Sequence, residues 1–193
     1  MLTILTHPHP ILRKKAKEID LKNIDSKEAQ ELIFAMKETL RNSDDGIGLA
    51  APQIGESVRL FLISEEAEAV DKNQESKVKN QKKNDEKEKN EERREEKPDW
   101  NYRVFINPVI KKFSAKKIDM AEGCLSVPGI FGLVRRPEKI TTEWYDERGK
   151  KHSRGYSKFF ARVIQHEMDH LDGILFIEKM HEELKLKKNS SKL

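Results

Sequence analysis

Apolar residues recur along this chain in two rhythms, and the switch between them marks out its elements. Ala29, Leu32, Ile33, Met36 and Leu40 return at the three-and-four spacing of one helix face. Ser26 precedes them with a hydroxyl able to accept a first-turn N–H, and Asn42-Ser43-Asp44-Asp45-Gly46 ends the run. Pro10 opens a short helix before it, since proline is tolerated in a first turn. Val58 to Ile63 reads as a buried strand bounded by turn formers. Tyr102, Val104 and Ile106 alternate, predicting a strand that ends near Asn107-Pro108. Further strands are expected near Lys111 to Met120, Ile140 to Tyr145 and Lys151 to Tyr156, with Arg148-Gly149 as a turn. Phe160, Val163 and Ile164 place a helix from Ser157 through His170, and a last amphipathic helix is predicted from about Glu178 to Lys187. Strands grouped between helices, without regular alternation, predict an α+β fold. Antiparallel or mixed sheets would then pack around the helix that carries His166 and His170.

Composition changes this picture at one place. Charged residues make up 37% of the 193 residues and apolar ones 36%, an imbalance that comes largely from residues 65–99. Roughly two-thirds of that stretch is charged with both signs mixed, so it can add little to a core and reads as a solvated insertion. Loop closure cost grows slowly with length, so such an insertion between two strands is tolerable. The expected organisation is a single domain over residues 1–180, interrupted at 65–99, with a basic C-terminal helix end and tail at 181–193. A net charge of +4 points weakly to anionic partners, and basic clusters are not interleaved with aromatics in the manner of a DNA-binding surface. No apolar run approaches a membrane span, and the first residues lack a secretory pattern, so a cytoplasmic protein with no membrane partner is expected.

The chemistry is concentrated in His166-Glu167-Met168-Asp169-His170. Four residues apart on a helix, both imidazoles project from one face and can reach one metal ion, with Glu167 beside it as acid/base. A catalytic site needs a third protein ligand and keeps a fourth position open for water. His181 and the C-terminal glutamates are the downstream candidates, which a zinc endopeptidase of the H-E-x-x-H type would use. The better candidate is the lone cysteine, Cys124, in Glu122-Gly123-Cys124-Leu125-Ser126, where a glycine at a strand end lets sulfur approach an ion closely. A third segment, Gly46-Ile47-Gly48-Leu49-Ala50-Ala51-Pro52-Gln53, lacks the spacing and the lysine of a phosphate-binding loop. Its small residues would let substrate come near the backbone, and Gln53 offers an amide donor.

Together, in this order, these three segments resemble the signature motifs of the peptide deformylases. The resemblance runs from Ile4 to about Phe176, broken only by the charged insertion. It implies removal of the formyl group from N-formylmethionyl nascent peptides. It also implies one divalent ion per chain, usually Fe(2+), with Zn(2+), Ni(2+) or Co(2+) as substitutes. Cys124, His166 and His170 match the family's metal ligands and Glu167 its catalytic carboxylate. Gln53 and the N–H of Leu125 match the oxyanion donors, and Gly48 matches the residue whose backbone meets the formyl group. Ile47, Phe131, Phe159 and Val163 would line the methionine pocket, and Glu122 with Arg136 resembles a supporting ion pair. The chain departs from the family in its long insertion and at Phe131, where some members carry a polar residue. Some relatives touch ribosomal RNA through a basic C-terminal helix. A weak contact of that kind through Lys185-Leu186-Lys187-Lys188 ranks below a solvated helix end.

Overall fold

The computed structural model describes residues 2–43, 46–65, 67, 68, 70 and 101–184. The expectations for the charged insertion and for the tail beyond Leu184 fall almost wholly outside them. Among the described residues, α1 (Lys27–Arg41) begins as the sequence predicts, with Ser26 Oγ accepting the Ala29 N–H at 3.2 Å. Pro10–Arg13 is a single 3₁₀ turn that buries Leu12.

One antiparallel sheet joins β1 (Gly48–Ala50), β2 (Leu60–Ser64), β3 (Tyr102–Phe113), β6 (Lys139–Tyr145) and β7 (Lys151–Ser157) in that spatial order. The second joins β4 (Lys117–Cys124), β5 (Val127–Pro137) and β8 (Met180–Glu183). Every residue of β2 is buried because successive side chains leave opposite faces of the sheet. Leu60 and Leu62 pack with Ile33, Met36 and Leu40 of α1. Phe61 and Ile63 pack with Phe160, Ala161 and Ile164 of the other long helix, α2 (Lys158–Leu171). That helix also touches β5, so it lies against both sheets, as the α+β reading expects.

Four expectations are corrected. β3 does not stop at Asn107-Pro108 but bulges there and runs on to Phe113. Asn107 takes a positive φ of 47°, and its side-chain amide exchanges two hydrogen bonds with the Ile19 backbone, at 2.9 and 2.7 Å, which anchor the bulge. The single strand expected over Lys111 to Met120 is the end of β3 and the start of β4. They are separated at Ser114, whose hydroxyl accepts the Lys139 N–H and donates to the Lys116 carbonyl. β5 is absent from the predicted elements, because Pro128, Gly129, Gly132 and Pro137 read as breakers. Antiparallel pairing with β4, from Lys117 opposite Pro137 to Cys124 opposite Val127, makes it a strand. Finally, the described part of the predicted C-terminal helix is a 3₁₀ turn, Phe176–Glu178, followed by β8 paired to β5. Gly132 permits that pairing: a Cβ there would lie 2.9 Å from the Glu182 carbonyl oxygen.

Candidate metal centre and active site

α2 is buried on nearly every side, yet it carries Arg162, Gln165, Glu167, Asp169 and His170 inward. Buried polar groups are costly unless paired, and most of these are. Gln165 donates to the Pro137 and Ala161 carbonyls. Asp169 accepts from Arg136 and Lys179, each at 2.6 Å. Two buried side-chain atoms of this helix have no hydrogen-bond partner among the described residues, Glu167 Oε2 and His170 Nδ1.

Cys124 reaches these groups from the tip of the β4–β5 hairpin. A bulge at Gly123 aims it, and a Cβ there would sit 2.5 Å from the Phe131 ring, so a larger residue would have to displace that ring. Cys124 Sγ lies 3.2 Å from His170 Nε2 and accepts the Ser126 N–H at 3.4 Å. The ligand atoms of Cys124, His166 and His170 all fall within 4.8 Å of one another. One sulfur and two nitrogens at that separation suit a single transition-metal ion.

The electrostatics agree. Burial opposes a positive charge on His166, but hydrogen bonding to Cys124 and Glu122 outweighs it and pushes the pKa up to about 10. At neutral pH that ring is held protonated on both nitrogens, so a metal ion at Nε2 would take the place of a proton. His170 goes the other way: burial, then His166, hold it well below the ordinary histidine value, so its ring stays neutral with a lone pair to offer. Burial also raises Glu122, yet hydrogen bonds from Arg136 and His166 prevail and keep it far below the usual carboxylate range. As an ionised acceptor it fixes the His166 tautomer, taking the Nδ1–H at 2.9 Å and leaving Nε2 for a metal.

Glu167 is pushed up to about 7, first by burial and then by Glu122 and Asp169. A carboxyl group titrating there can both take and return a proton near neutral pH. Gly48 makes room for it, since a Cβ at that position would sit 2.3 Å from Glu167 Oε1. Gln53 is oriented from both ends: Oε1 accepts the Ala50 N–H at 2.8 Å, and Nε2 donates to Ser126 Oγ at 3.1 Å. The same Nε2 donates to Cys124 Sγ at 3.7 Å, which sets the amide directly beside the sulfur.

A cavity of about 380 Å³ opens over this group. Ile47, Gly48, Gln53, Leu125, Phe131, Phe159 and Val163 line it together with Cys124, His166 and Glu167. His170 lies deeper, at 1% exposure, behind the sulfur. A larger depression of about 720 Å³, by Trp144 and His152, lies elsewhere on the β6–β7 side and holds none of the three ligands. His181 sits on β8 beside Asp119, 3.7 Å away, and takes no part in the cluster.

The chain matches the family model for polypeptide deformylase over residues 1–186. The chain belongs to the polypeptide deformylase family. It is 39% identical to the peptide deformylase of Christiangramia forsetii over 180 residues, covering 93% of this chain and 82% of that one. Against the peptide deformylase of Pelodictyon phaeoclathratiforme it is 41% identical, covering 93% and 79%. The fold is similar to the crystal structure of a class I type b peptide deformylase from Acinetobacter baumannii, with a TM-score of 0.73 at 28% identity over 93% of this chain and 99% of that one. The peptide deformylase from Thermotoga maritima gives 0.71 at 29%, over 93% and 97%.

Deformylases are metallohydrolases, and the donor set here fits such an ion. The sequence does not single out Arg162, Ser126 or Lys179, which surround this site. Arg162 leaves a trace, a charged residue one helical turn before His166 on a face that otherwise packs inward. Ser126 and Lys179 leave none, because their roles depend on where Gln53 and Asp169 arrive from distant segments.

Proposed function

We propose that Cys124, His166 and His170 hold one divalent ion and that Glu167 is the acid/base of the family's reaction. That reaction removes the formyl group from the N-terminal formylmethionine of nascent polypeptides. The convergence of one sulfur and two imidazoles beside a buried carboxylate carries the assignment. The ion supplies Lewis acidity, which lowers the pKa of water enough to make it a nucleophile near neutral pH. Fe(2+) is the ion we assign, on the family's habit; the same donors accept Zn(2+), Ni(2+) and Co(2+).

Glu167 takes a proton from the attacking water and returns it to the departing amine nitrogen as the formyl C–N bond breaks, leaving formate and a free amine. Gln53 Nε2 and the Leu125 N–H receive the charge that gathers on the formyl oxygen. The Gly48 backbone borders the formyl group, and Ile47, Phe131, Phe159 and Val163 take the methionine side chain. Replacing Gln53 with alanine is expected to lower turnover by ~10²–10³ with little change in metal content, as loss of one oxyanion donor does. Steady-state kinetics beside metal analysis checks this.

We place the reaction in the cytoplasm, within the single catalytic domain of residues 1–180. Weak ribosome contact through the basic tail belongs to the same proposal. No helix among the described residues is long and apolar enough to cross a membrane. The rival zinc endopeptidase needs a third ligand downstream of His170, and His181 stands apart from the cluster. Incubation with a formyl-methionyl peptide tests the reading: formate release with the peptide chain intact is expected. Internal fragments without formate would overturn it.

A further inference from the structure

Arg162 is 3% exposed, one turn before His166 on α2. Its Nη1 donates to Glu122 Oε1 at 2.9 Å and to the Val134 carbonyl at 2.7 Å, and its Nη2 donates to the Ile118 carbonyl at 2.7 Å. Ile118 is on β4 and Val134 on β5, so one side chain ties α2 to both strands of the hairpin that presents Cys124.

Glu122 has its acceptor positions filled from three side chains. Oε1 takes Arg136 Nε at 2.7 Å and Arg162 Nη1 at 2.9 Å; Oε2 takes Arg136 Nη2 and His166 Nδ1, each at 2.9 Å. The Arg136 fork sets the plane of the carboxylate but treats its two oxygens alike. Arg162 distinguishes them, loading Oε1 with a second guanidinium and leaving Oε2 to the imidazole. Arg162 and His166 also stand one turn apart on the same helix. Arg162, Glu122 and His166 therefore close a ring through the α2 backbone, and the carboxylate cannot slide along the helix without stretching one of its two contacts.

We infer that Arg162 is a positioning residue for the metal ligand His166, acting through Glu122 to hold the imidazole with Nδ1–H on Oε2 and Nε2 toward Cys124 and His170. The inference rests on the metal-centre reading above. Outer partners of this kind typically change metal affinity by about 10–100-fold. A residue serving only to glue helix to hairpin would lower the unfolding temperature without touching the ligand.

The test uses the full chain loaded with Co(2+), following loss of the cobalt absorption bands in excess chelator. Arg162→Met is expected to release cobalt about 10–100-fold faster than the unaltered protein. In a Glu122→Gln background the same substitution should add little, because both changes break one chain of contacts. Arg162→Lys keeps the charge and loses the fork, and is expected to fall between. It is read in the same cycle and decides the matter if Arg162→Met does not fold. Unchanged release, or effects that multiply with Glu122→Gln, overturn the inference. Cys124→Ala separates the two readings: if it binds cobalt like the unaltered protein, the metal centre itself is misassigned.

Discussion

Replacing Glu167 with glutamine is expected to lower formate release by ~10²–10⁴, the range for loss of a positioned general acid/base, while one metal ion per chain remains bound. Glu167 is not among the residues whose ligand atoms converge, which are Cys124, His166 and His170. Its carboxylate instead lies against Gly48, with Oε2 unpaired among the described residues and its titration lifted to about 7 by burial. Glutamine keeps the shape that Gly48 accommodates and removes only the capacity to accept and return a proton. Metal analysis beside steady-state kinetics with a formyl-methionyl peptide separates the two effects. Metal loss equal to that of a ligand variant would show that Glu167 binds the ion.

The Cys124→Ala variant should fail differently, losing the ion and, with it, turnover to the level of the uncatalysed reaction. Two imidazoles remain, but the sulfur is the donor that closes the set from the hairpin side. The fold should survive. Cys124 is only partly buried at a hairpin tip, and Gln53 keeps its bond to Ser126 Oγ. Truncating so small a partly exposed group costs about 1 kcal/mol or less. Circular dichroism should therefore match the unaltered, metal-stripped protein, while metal content falls to near zero. Retention of a full metal complement would shift the third ligand elsewhere.

These two residues differ in how openly the chain announces them. α1 is legible in the sequence because its signals are local: a serine cap and an apolar face at helical spacing. The pairing of His166 with His170, and with it the place of Glu167, is legible for the same reason, since four residues on a helix is a fixed displacement. The donor Cys124 is harder to find, and its choice over His181 rests on its glycine neighbour and on the resemblance of the whole motif. β5 and β8 are hidden because their local signals point elsewhere. Pro128, Gly129 and Gly132 look like turns, and Glu182 and Glu183 look like part of a charged helix.

By itself, the sequence determined which residues of α1 and α2 share a helix face and where those two helices begin. Each of those follows from side-chain spacing within a few residues. Only the tertiary structure decided that β8 pairs with β5, that β3 bulges through Asn107, and that Arg136, Arg162 and His166 meet on Glu122. Strand pairing uses backbone N–H and C=O groups that nearly every residue carries alike, so the choice of partner is not written in the strand itself. A buried charge network likewise closes only when segments far apart in the chain arrive at one carboxylate.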